Sequence, residues 1–165
     1  MKIDDILTIS SNVFLKKISI EDIESIYNYT KKKEFFNAIS FNPTYTNTKN
    51  FINTLIIDMK LKKRFYWVIK MENETIGTIG LLNFKDDSVE IGFGLSPDYW
   101  GKGIINNCLN YLIDYVFNEL NFNTIIIGTG INNLRAIKFI KKFDFSIIKQ
   151  TNKNIYFQRH KYVKR

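Results

Sequence analysis

The sequence predicts a mixed α/β fold, a mostly antiparallel sheet with flanking helices, and three observations carry that prediction. Phe65-Tyr66-Trp67-Val68-Ile69-Lys70 and Thr75 to Phe84 are strand-like runs joined by the tight turn Glu72-Asn73-Glu74, which reads as a hairpin. Asp86-Asp87 then turns the chain into a further strand, Val89 to Leu95, closed by Pro97. Beyond it, Ile105, Leu109, Leu112, Ile113 and Val116 recur at three- and four-residue steps, the period of an amphipathic helix. A strand therefore hands over to a helix in the second half of the chain.

The other elements follow in order. Asn12 to Lys17 reads as a first strand, and Ser19 before Ile20-Glu21-Asp22 is a cap-and-acid signal for a helix with Ile23, Ile26 and Tyr27 on its inner face. Lys31 to Thr48 is polar, aromatic and broken by Asn42-Pro43, which predicts a loop or short helices. Thr48 is placed to cap a second helix carrying Phe51, Leu55, Ile56 and Met59. After the glycine loop and its helix, Thr124 to Gly128 is a β-branched run suited to a buried strand. Asn132-Asn133 precedes a helix over Leu134 to Lys142, and Ser146 to Lys149 and Ile155 to Tyr162 form a closing strand pair. With 165 residues, no internal repeat and no linker, the expected organisation is one domain over residues 1–165.

Where the strand meets the helix, Tyr99-Trp100-Gly101-Lys102-Gly103-Ile104-Ile105 sets two glycines one residue apart. A loop without side chains lets backbone N–H groups approach a ligand closely. The first turn of a helix adds unpaired donors and the positive end of its dipole. Together these predict an anion site suited to a phosphate or pyrophosphate.

The run Glu90-Ile91-Gly92-Phe93-Gly94-Leu95, then Pro97-Asp98-Tyr99-Trp100-Gly101-Lys102-Gly103, resembles the acetyl-CoA motif of the GCN5-related N-acetyltransferase (GNAT) superfamily. It is most similar to the branch of ribosomal-protein alanine and serine N-acetyltransferases. Asn133, its short helix and Phe143-Asp144-Phe145 resemble that family's second signature, in which Gly usually stands at the Asp144 position. The resemblance spans nearly the whole chain and implies a GNAT-like (acyl-CoA N-acyltransferase) fold in which the strands Val89–Leu95 and Thr124–Gly128 splay apart.

In that slot the resemblance places the pantetheine arm of acetyl-CoA on the backbone of Phe93 and Leu95. The pyrophosphate falls on the N–H groups of Trp100, Gly101, Lys102, Gly103, Ile104 and Ile105, and Asn133 hydrogen-bonds the arm. A neutral amine would attack the thioester directly, with no metal and no covalent intermediate, helped by orientation and by donors aimed at the developing oxyanion. Glu90 is the residue expected to take the amine's proton, directly or through water.

Departures from the family pattern fall on the general acid. Relatives place Tyr or Ser on the last helix; the matching positions here are Ile140 and Ala136, neither of which donates a proton. This motivates an alternative, a non-catalytic acyl-CoA-binding sensor or partner-binding module. Asp98 occupies a position where other branches carry a cofactor-binding Gln or Arg, so binding leans on backbone donors and Lys102.

Composition bounds the remaining classes. Hydrophobic content of 45% with 15% aromatics argues against disorder, and no apolar run approaches the roughly 20 residues that span a bilayer. Lys2 followed by Asp4 and Asp5 does not fit a secretory signal, so the simplest address is the cytoplasm. One cysteine, Cys108, excludes an internal disulfide and reads as a small buried residue; the single histidine, His160, reads as structural or exposed.

The formal charge of +8 gathers toward the C-terminus, with ten Lys or Arg against Asp144 alone from Arg135 to Arg165. It suits a polyphosphate cofactor or an acidic macromolecule, or it is a compositional bias spread over solvated faces. No nucleic-acid motif accompanies it. Phe65, Tyr66 and Trp67 are expected in the sheet core, with one of them able to face the acceptor slot. Tyr29, Phe35, Phe36, Phe41 and Tyr45 cluster with Glu34 in the region that the resemblance implies is the acceptor side, as core or as pocket lining. The resemblance implies as acceptor a protein N-terminus or a small amine, and the pattern leaves open whether two copies pair as a homodimer.

Overall fold

The computed structural model describes residues 1–36 and 42–162. Eight strands form a single sheet in the order β1-β2-β3-β4-β5-β6-β8-β7. Their ranges are β1 Ile6–Thr8, β2 Val13–Lys17, β3 Phe65–Met71, β4 Glu74–Lys85, β5 Ser88–Leu95, β6 Thr124–Gly130, β7 Ser146–Gln150 and β8 Asn154–His160. Every pair is antiparallel except β5 with β6. That one parallel pair is joined through helix α4, Ile104–Asn118, as a crossover connection requires. The other helices are α1 Ile23–Thr30, α2 Lys33–Phe36, α3 Tyr45–Lys60 and α5 Leu134–Ile140. Among the described residues no helix is long and apolar enough to cross a membrane.

Side-chain alternation sends β3 to two cores. In β3, Trp67 and Ile69 join the larger cluster with Ile79, Leu81, Val89 and Ile91, which α4 covers with Cys108, Leu109, Leu112 and Val116. Val68, between them in sequence, joins the smaller cluster on the opposite face with Ile23 and Ile26 of α1 and Ile52 and Leu55 of α3. Trp67 is fully buried and its indole N–H donates to the Asp4 carbonyl at 2.9 Å, anchoring the chain before β1. Trp67→Ala removes both the packing and that anchor. It is expected to cost about 3–5 kcal/mol, read as a lowered urea midpoint.

The structure differs from the expected elements in three places. Strand β1 lies outside the predicted set: it is three residues long with only Leu7 buried, too short to show alternation. Helix α3 begins one turn earlier than expected. Thr44, not Thr48, is its cap: the Thr44 hydroxyl accepts from the Asn47 N–H at 3.1 Å. Thr48 sits inside the helix, 1% exposed, and donates to the Thr44 carbonyl at 3.0 Å. Helix α5 ends at Ile140 and tightens into a 3-10 turn, Lys141–Phe143, after which Asp144 takes the left-handed conformation (φ 58°) that a glycine adopts more freely.

Candidate active site

The glycine loop is shaped for close approach. Gly101 and Gly103 both have φ +75°, and nothing stands within 4 Å of where a Cβ would be on either. Gly103 is the N-cap of the 15-residue α4. Among the described residues the N–H groups of Gly101, Lys102, Gly103, Ile104 and Ile105 donate to no backbone carbonyl, so they form a row of free donors at a helix's positive end. These residues fit a pyrophosphate.

Trp100 departs from its expected part. Its N–H donates to Pro97 O at 3.1 Å, closing the turn before the loop, so it is not one of the free donors. Its side chain has other work: the indole N–H donates to Leu95 O at 2.8 Å, and the Arg135 guanidinium lies 4.0 Å from the ring centroid.

Charges around the loop are arranged differently from their sequence order. Asp98 is ion-paired with Lys32 from the segment between α1 and α2, which offsets the acid beside the cradle. The Lys102 ammonium stands 4.9 Å from the Tyr99 ring centroid. The Tyr99 hydroxyl donates to Glu74 Oε2 at 2.6 Å, and that carboxylate bond, followed by desolvation, pushes the phenol up to about 12. Arg135 adds a cation at the loop's rim. Lys32 and Arg135 were not among the expected residues. Arg135 could have been found two positions after Asn133, whereas Lys32 has no local signal.

The slot follows from register. β5 pairs with β6 only over Ser88–Glu90 opposite Thr124–Ile126. Beyond that point β5 continues against β4 to Leu95, and β6 continues against β8 to Gly130, so the strands part. The Ser96 N–H donates to Ile76 O across the β4 side at 2.7 Å. By strand alternation the peptide groups of Ile91, Phe93 and Leu95 then face the β6 side. The Phe93 ring packs edge-on against Phe139 of α5 at 5.6 Å. Asn133 caps α5, its Oδ1 accepting from the Ala136 N–H at 3.2 Å, which holds it at the slot's far wall.

Glu90 sits at the last pair before the strands part, half-buried, on the face opposite α4. Its Oε2 accepts from Asn83 Nδ2 at 2.6 Å, and its Oε1 lies 3.4 Å from where a Cβ on Gly128 would stand. Asn83 reaches it from the irregular end of β4, in a left-handed conformation (φ 50°) that a short amide tolerates. Asn83 is a site residue that sequence reasoning missed. Neither expected acid position offers a donor: Ile140 is fully buried in the core, and Ala136 lies on α5.

The acceptor-side aromatics divide. Tyr29 and Phe35 are core, packed edge-on at 5.2 Å, with the Tyr29 hydroxyl donating to Thr78 Oγ1 at 3.4 Å. Phe36 and Tyr45 are exposed at 44% and 49%, Glu34 is exposed, and Phe41 lies outside the described residues. His160 is exposed, its Nδ1 3.0 Å from Thr124 Oγ1. Cys108 is fully buried under the sheet, and desolvation pushes its thiol up to about 12. It is therefore expected to resist a water-soluble thiol reagent in the native protein and to react on addition of denaturant, followed by absorbance.

Comparison with known proteins identifies the family and the fold. Residues 12–146 match the family described as acetyltransferase (GNAT) domain. The chain is 29% identical over 137 residues to the uncharacterized N-acetyltransferase p20 of Bacillus licheniformis, covering 79% of this chain and 77% of that protein. Among solved structures it resembles the microcin C7 self-immunity acetyltransferase MccE in complex with acetyl-CoA and AMP (TM-score 0.79, 16% identity, 92% and 94% of the two chains). It also resembles RimL, a ribosomal L7/L12 alpha-N-protein acetyltransferase in complex with coenzyme A (TM-score 0.82, 13% identity, 94% and 97%).

Proposed function

Because the chain belongs to the GNAT acetyltransferase family, we propose that it transfers the acetyl group of acetyl-CoA to a primary amine by direct attack, in a single domain acting in the cytoplasm. The observation that carries this reading is the parting of β5 from β6 between Glu90 and the free donors of the Gly101–Ile105 loop. Acetyl-CoA supplies the activated acyl group. The loop's N–H groups hold its pyrophosphate, with Lys102 and Arg135 adding positive charge at the rim. The β5 edge at Phe93 and the Leu95 N–H orients the arm, the Leu95 carbonyl being held by the Trp100 indole, and Asn133 supports it from the far wall.

On the opposite face, Glu90 accepts the amine's proton, directly or through water. Asn83 holds one carboxylate oxygen and leaves the other toward the gap. Orientation of the two reactants is the larger share of such catalysis, with proton removal contributing about 10²–10⁴-fold. The acceptor is a protein N-terminus, the kind named for RimL, or a small amine.

Ile140 and Ala136 favour a second reading, an acyl-CoA-binding sensor without turnover. The two readings separate in a thiol-release assay of acetyl-CoA against N-terminal peptides and small primary amines. The first expects thiol release that depends on an amine and rises with pH as the amine deprotonates. Saturable acetyl-CoA binding with no release on any amine would select the sensor.

A further inference from the structure

Three interior-strand glycines line up across the sheet on the Glu90 face, and two tyrosines use them. Gly80 of β4 stands opposite Tyr66 of β3 and opposite Gly92 of β5. The Tyr66 ring lies flat over Gly80, where a Cβ would come within 2.5 Å of it, and its hydroxyl reaches β5, 3.1 Å from where a Cβ on Gly92 would stand. From the other side, Tyr156 of β8 lies opposite Gly128 of β6, its ring 2.9 Å from where that Cβ would be. Glu90 Oε1 is at the same glycine, at 3.4 Å. Two aromatic rings thus approach the parting of β5 and β6 from opposite sides, with a carboxylate between them.

Neither phenol hydroxyl has a hydrogen-bond partner among the described residues, and Glu90 Oε1 accepts no bond there either. Burial, with Glu90's negative charge adding to it against the opposing effect of Arg64, pushes the Tyr66 phenol up to about 12, so it keeps its proton at neutral pH. Arg64 is itself ion-paired with Asp58 at 2.5 Å. Ring faces and a carboxylate attract a cation, and a hydroxyl oxygen accepts from its N–H groups. An anion meets Glu90 instead.

We propose that Tyr66 and Tyr156 form, with Glu90, a clamp that receives the acceptor as a protonated primary amine and discriminates against anionic groups. This rests on the reading of Glu90 as the amine-side carboxylate. The clamp holds the ammonium by its N–H groups and positive charge, and Glu90 then removes one proton to leave the nucleophilic lone pair. Gly80 and Gly128 belong to the device, because any side chain there lifts a ring off the sheet.

The test uses the full chain labelled with ¹³C-tyrosine, titrated with n-butylammonium and, separately, with butyrate, acetyl-CoA binding being measured on the same sample. Resonances of Tyr66 and Tyr156 among the nine tyrosines, assigned with Tyr66→Phe and Tyr156→Phe, are expected to shift saturably with the cation and not with butyrate. Glu90→Gln is expected to weaken the ammonium response by about fivefold or more. Silence at both tyrosines, or equal shifts with butyrate, overturns the clamp. If acetyl-CoA binds while the tyrosines stay silent, the clamp fails and the transfer reading stands. If the tyrosines respond but acetyl-CoA does not bind, the transfer reading fails instead.

Discussion

Gly103→Glu is expected to lower acetyl-CoA affinity by at least about 100-fold, close to 2.7 kcal/mol, while the protein stays folded. The carboxylate would stand at the N-cap of α4, where it repels an incoming pyrophosphate and competes with it for the free donors. Nothing lies within 4 Å of the new Cβ, so the fold meets no steric conflict. The left-handed φ of +75° does add backbone strain of about 1–2 kcal/mol. Gly103→Asn separates the two effects, since Asn tolerates that conformation and carries no charge. Titration calorimetry should find binding nearly kept in the Asn variant and lost in the Glu variant. Unchanged affinity in Gly103→Glu would mean that the pyrophosphate lies elsewhere.

Glu90→Gln is expected to lower kcat/KM by about 10²-fold or more, with acetyl-CoA affinity changed by less than about twofold. The substitution is close to isosteric. The Gln carbonyl can still accept from Asn83 Nδ2, so the irregular end of β4 keeps its partner and only proton acceptance is lost. A purely structural glutamate would show the reverse: full rate from pH 6 to 9 and a lowered denaturation midpoint. Measuring kcat/KM and urea stability on one preparation distinguishes the two.

What was readable from the chain follows how local each signal is. The β3–β4 hairpin and the β5–loop–α4 unit are legible because each is a short pattern of periodicity and turn residues, and the row of free donors at the glycine loop comes with the second. Strand β1 was not, because what holds it is remote: the Asp4 carbonyl accepts from Trp67, and the Asp4 carboxylate accepts from the Tyr115 hydroxyl at 3.2 Å. The start of α3 differs from the expected one by one turn because Thr44 and Thr48 both carry capping chemistry, and burial of Thr48 decides between them.

The Glu90 side was the least readable part of the site. Asn83, Tyr66 and Tyr156 reach it from β4, β3 and β8, brought there by strand register and not by spacing. A signal did exist: isolated glycines within strands mark close approach of other groups, and Gly80, Gly92 and Gly128 each meet a tyrosine. The Trp100 N–H is hidden from the sequence for a related reason, since the turn from Pro97 that consumes it is a matter of geometry and not of residue type.

The most direct test of the central claim is titration calorimetry of the wild-type protein with acetyl-CoA and, in parallel, with acetyl-pantetheine, which lacks the pyrophosphate. One saturable acetyl-CoA site, with affinity in the micromolar range and at least about tenfold weaker for acetyl-pantetheine, is the predicted result. No acetyl-CoA binding by a folded sample, or equal affinity for the two, would contradict the assignment of the Gly101–Ile105 loop and the parted strands to this cosubstrate.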